Sequence, residues 1–117
     1  MVWPDLFRSD IAAAVLATTI TLVVTPASGE ETLAAAERRG LAFAQANCSR
    51  CHAIGRSGAS PFAPAPPFRT LHLRYPIEDL EEPLAEGIVT GHPAMPEFQL
   101  DPGQVGDIIA YLKSLSR

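Results

Sequence analysis

The only two cysteines of the chain, Cys48 and Cys51, are separated by two residues, and His52 follows the second directly, in "QANCSRCHAIG", residues 45–55. Thiols at this spacing serve a redox dithiol, half of a zinc site, or the covalent attachment of a group to both sulfurs. Three further side chains can bind a metal. They are His72, His92 and Met95, the last being the sole methionine beyond Met1. Which chemistry applies depends on the elements that position these residues.

A charge-free run of 14 residues, "IAAAVLATTITLVV", follows "MVWPDLFRSD" and precedes the small residues of "TPASGEE". A short apolar core ahead of small residues is the pattern of a secretory leader. Cleavage near Ala27 or Gly29 fits, so residues 1–29 are read as a signal peptide and residues 30–117 as one domain. Arg8 is offset by Asp5 and Asp10, so the usual positive excess is missing. The competing reading is a retained anchor, but a membrane span needs about 20 apolar residues. The length favours export and cleavage. A domain this small commonly needs a staple, and a disulfide closing a two-residue gap would constrain little of the unfolded chain. A cofactor is the better staple.

"ETLAAAERRGLAFAQA", residues 31–46, is alanine-rich and proline-free, which predicts a helix. "GRSGASPFAPAPP", residues 55–67, is too rich in glycine and proline for regular structure and is expected to form an ordered strap over the core. "PIEDLEEPLAEGI", residues 76–88, predicts a short helix with Pro83 in its first turns or breaking it. In "DPGQVGDIIAYLKSLSR" Asp101 suits an N-cap, Pro102 the first helical position and Gln104 the capping box. Val105, Ile108, Ile109, Leu112 and Leu115 then form an apolar stripe. No segment alternates with period two. The expected fold class is all-α.

In this setting two of the three chemistries weaken. A reactive dithiol belongs at a helix N-terminus, whereas these cysteines follow a helix and lack a βαβ surround. Structural zinc wants four ligands, and the chain adds only isolated His72 and His92. Cysteine, two residues, cysteine, histidine is also the attachment pattern of c-type haem. Two thiols on one turn can each add to a haem vinyl group, and the next residue, His52, can coordinate iron from below. An export signal agrees with this chemistry. Met95, in "GHPAMPEF", lies in a stiff strap between Pro93 and Pro96 with Gly91 as a hinge. Such a strap presents a thioether as the sixth ligand. His92 is the alternative ligand, read here as solvent-facing before its proline. His72 has no surround that suggests a site.

With "CSRCH", "MPEF" and "DIIAYLKSL" together, residues 31–116 resemble the class I single-haem cytochromes c of bacteria. The resemblance implies a small all-α fold in which N- and C-terminal helices cross, with a short helix and long Pro-rich loops around one covalent haem c. It implies that Gly40 lets the first helix approach Ile108, Tyr111 and Leu112. It also implies that a proline carbonyl in "PPF", that of Pro66, accepts the proton of the His52 imidazole and orients it. Phe43 matches the family's first-helix aromatic only approximately.

Residues 30–117 hold eight bases against eleven acids, and Lys113 is the single lysine. Nucleic acid is thereby an improbable partner. Arg50, Arg56, Arg69 and Arg74 fall within a stretch free of acids, and the acids from Glu78 to Asp107 within a stretch free of bases. The arginines are expected to line the contact with a partner. The reading is a periplasmic, non-enzymatic electron carrier that meets redox protein donors and acceptors transiently and has no small-molecule substrate. Membrane contact arises only through a membrane-bound partner or an uncleaved N-terminal segment. The alternatives are a haem peroxidase or gas-binding protein with a labile sixth position, and a subunit of a dehydrogenase or oxidase complex.

Overall fold

The computed structural model describes residues 29–87 and 94–117. The signal peptide read at residues 1–29 lies outside them apart from Gly29, as do Gly91, His92 and Pro93.

Helix α1 runs over Gly29–Asn47, one to two residues beyond the predicted span at each end. Its alanines carry high helix propensity, and Gly40 is the one weak position. Two short 3-10 helices follow, Phe68–Leu73 and Ile77–Leu80. The first was not expected from the sequence. The second runs into α2, Glu81–Glu86, where Pro83 sits in the first turn and so sacrifices no helical hydrogen bond. Gly87 then ends α2 in the left-handed conformation, at φ 75°.

Helix α3, Pro102–Ser114, starts as predicted. The Asp101 side chain accepts from Gln104 N at 2.9 Å, and Gln104 Oε1 accepts from Asp101 N at 3.2 Å. Val105, Ile108, Ile109, Leu112 and Leu115 are all buried, with Tyr111 among them. No strand occurs among the described residues, so the all-α expectation holds. No described helix is long and apolar enough to cross a membrane.

The core forms where α1 crosses α3, and Phe68, Leu71, Ile77 and Leu100 close it from the other segments. A Cβ built on Gly40 would lie 2.1 Å from Asp107 O and 2.7 Å from Tyr111 Cβ. Tyr111 was the expected neighbour. Ile108 and Leu112 are not the nearest groups, because α3 presents the backbone of Asp107 at the crossing point. Beside it, Arg39 grips the Asp107 carboxylate through Nε and Nη2, each at 2.7 Å. That pair raises the already high pKa of Arg39. It also ties α1 to α3 beside their crossing.

Candidate haem site

Past Asn47 the backbone coils through one further turn. Cys48 N donates to Ala44 O at 2.9 Å, and Cys51 N and His52 N donate to Cys48 O at 3.1 and 3.0 Å. The coil brings both thiols and the imidazole to the wall of a single cleft. It stands at the C-terminal, negative end of the α1 dipole, which disfavours thiolate. Burial pushes the Cys48 thiol up to about 11, so it stays protonated at neutral pH. A nucleophilic dithiol needs the opposite. Zinc fares no better, since no cluster of three or more His, Cys, Asp or Glu side chains is placed to hold a metal among the described residues.

His52 is held by two contacts of its own. Its Nδ1 lies 2.8 Å from Pro66 O, and its ring centroid lies 5.0 Å from that of Phe68. A carbonyl can only accept, so Nδ1 carries a proton, and in the neutral imidazole the lone pair lies on Nε2. Pro66 reaches this position because the proline-rich stretch is stitched to the turn. Phe62 N donates to Cys51 O at 3.1 Å, Ala53 N to Ser60 Oγ at 3.0 Å, and Phe68 N to Ala53 O at 3.0 Å. Tyr111 Oη adds a bond from α3 to Ile54 O at 2.7 Å. The expected strap is therefore an ordered wall of the site.

Another part of the wall comes from the segment after residue 93. Ala94, half-buried Met95 and Pro96 line the same cleft as the cysteines and His52. Phe98 packs edge-on against Phe43 with centroids 6.4 Å apart. Leu100 N donates to Leu84 O at 2.9 Å and ties the segment to α2. Gly87 matters here as well, because a Cβ on it would come within 2.8 Å of Glu97 Oε1.

The cleft opens to solvent. Phe62, Ala65, Phe68 and Phe98 give it apolar walls. A flat, largely apolar group suits such walls, and the two thiols, the imidazole and the thioether all line them. The structure thus brings together Cys48, Cys51, His52, Pro66 and Met95. His72 does not line the cleft and is exposed, and His92 lies outside the described residues. The aromatic wall residues Phe62 and Phe68 were not legible as site residues, although Phe68 lies in the "PPF" that pointed to Pro66.

Known proteins agree with this chemistry. The family model described as "Cytochrome c" matches residues 37–116. "Cytochrome c-552" of Bradyrhizobium diazoefficiens is 34% identical over 97 residues, covering 82% of this chain and 91% of that protein. No solved structure matches the chain. The chain belongs to the cytochrome c family, electron-transfer proteins that carry an iron-bearing haem c bonded covalently to cysteine.

Proposed function

We propose that this chain is an exported one-electron carrier, working in the periplasm between larger redox proteins. In this reading Cys48 and Cys51 each form a thioether with haem c, His52 Nε2 is the proximal iron ligand and Met95 Sδ the sixth. The haem supplies an iron that gains and loses one electron. The chain's own residues do the rest. Pro66 O fixes the His52 tautomer and makes the imidazole a stronger donor. The apolar walls exclude water, which limits the charge reorganisation that accompanies electron transfer. Two protein ligands would leave iron no open position for substrate, so the reading is a carrier and not a peroxidase. The observation that supports it is the presence of Met95 and of the Cys48–His52 turn on the walls of one apolar cleft.

The experiment uses protein exported with its haem. Mass spectrometry should show one haem added and both thiols consumed, and acid–acetone should not extract it. Oxidised protein should show the weak far-red band of sulfur on ferric iron. Met95→Ala should remove that band, lower the midpoint potential and let carbon monoxide bind the reduced iron. Should His92→Ala change the spectrum while Met95→Ala leaves it intact, the sixth ligand is His92.

A further inference from the structure

Phe68 opens the first 3-10 helix and is 8% exposed. Its ring meets the His52 imidazole, with centroids 5.0 Å apart and planes inclined by 44°. The imidazole therefore has two contacts, Pro66 O at Nδ1 and the Phe68 ring beside it. They constrain it differently. A carbonyl accepts over a broad range of directions, so a hydrogen bond at Nδ1 alone lets the imidazole swing about that point. A flat ring packed beside it blocks the swing. An aliphatic side chain of similar volume has no flat face and blocks it less.

Backbone bonds hold both contacts as one unit. Phe68 N donates to Ala53 O at 3.0 Å, and Ala53 directly follows His52. Pro66 and Pro67 each have a fixed φ, so a stiff link joins the accepting carbonyl to the Phe68 ring. Pro67 O accepts from Thr70 N at 3.0 Å and from Thr70 Oγ1 at 2.8 Å, which pins the turn that follows. Leu71, one turn on, is buried in the same core.

Phe68 belongs to the core and also lines the cleft, where its aromatic neighbour is the side chain read as the proximal ligand. An imidazole bound to iron donates π density in one direction only. Rotating it about its bond to iron changes which iron orbital holds the unpaired ferric electron, and so the haem edge towards which that electron extends. Groups that orient a ligand in this way tune the metal without touching it. We propose that Phe68 is a positioning residue for electron transfer, setting the plane of the His52 imidazole at the iron. Pro66 O fixes the tautomer and one point of the ring, and Phe68 fixes the rotation that is left. The inference rests on the reading of His52 as the proximal ligand of a covalent haem.

The test compares ferric holoprotein of the wild type, Phe68→Leu and Phe68→Tyr, each first checked for covalent haem by its pyridine haemochrome. Absence of haem from the wild type, or His52 ring protons left unshifted by ferric iron, would defeat the underlying reading instead of this one. Cyanide is then placed at the sixth position. It is cylindrically symmetric, so the proton shifts of the four haem ring methyls report the imidazole plane alone. In wild type the methyls should be widely spread, in a fixed order, with shifts linear in inverse temperature. Phe68→Leu should narrow the spread or change the order, with curvature against inverse temperature. Phe68→Tyr keeps the flat face and should keep the wild-type order. An aromatic that merely fills the core would lower the melting temperature of Phe68→Leu and leave the methyl order and spread unchanged, a result that overturns the proposal. If Phe68→Leu does not mature, reduced wild type decides. Its Phe68 ring protons should show Overhauser effects to the His52 ring and separate signals for the two ring edges. No such effect, or a freely flipping Phe68 ring, would overturn the positioning.

Discussion

Glycine at position 40 sets how closely α1 and α3 can approach, because any Cβ there would collide with the Asp107 backbone. Backbone cannot swing away as a side-chain tip can. Gly40→Ala should therefore cost about 1–3 kcal/mol, and Gly40→Val more, read as a lower denaturant midpoint with haem still attached. A variant as stable as wild type would mean that the helices can shift apart without loss. At this scale the sequence was most legible where chemistry restricts residue type. Cys48, Cys51 and His52 were marked by spacing, and Met95 by its prolines. Arg39 and Arg56 carried no such mark, since an arginine's partner depends on which distant carboxylate or carbonyl the fold brings within reach.

Among the elements, α3 was readable in full because its signals are local. Cap, proline, capping box and apolar stripe all lie within one short stretch. Asp101→Ala should remove the acceptor for Gln104 N and cost about 0.5–2 kcal/mol in chemical denaturation, with the haem spectrum unchanged. A loss of the far-red band in this variant would instead show that the start of α3 also positions the Met95 strap. The 3-10 helices were less visible, because one or two turns give no periodicity to detect. The proline-rich strap was identified as a loop, but not as a wall carrying Phe62. Its path is set by bonds to Cys51 and Ala53, and loop composition does not record such partners.

For the whole molecule, the arginine-lined contact expected from the sequence competes with the net charge as the source of steering. Arg56 is exposed but donates to the carbonyls of Ser114 and Arg117, and Arg69 is half-buried, so one of the four arginines is engaged and another is partly withdrawn from the surface. Asn47, Phe62, Pro64, Ala94 and Pro96 are the exposed residues along the cleft, and none is charged. Net charge, −4 over the full chain and further lowered by haem carboxylates, then dominates long-range steering. Reduced protein should react faster with a small cationic oxidant at low salt, and that rate should fall as the Debye length shrinks to about 8 Å. An anionic oxidant should show the reverse trend. If the anionic reagent is the one that slows with salt, Arg50 and Arg74 govern the approach after all.

The strap is anchored at both sides of its tip. Arg56 is bonded to the end of α3 and Ser60 to Ala53, whereas Gly58 between them is exposed, at φ 89°, with nothing within 4 Å of the place a Cβ would occupy. Length is therefore cheap at residues 57–59 and costly on either side. Over evolutionary time, insertions and deletions should accumulate at this tip, so descendants of the same ancestor can differ there by several residues while their haem clefts superpose.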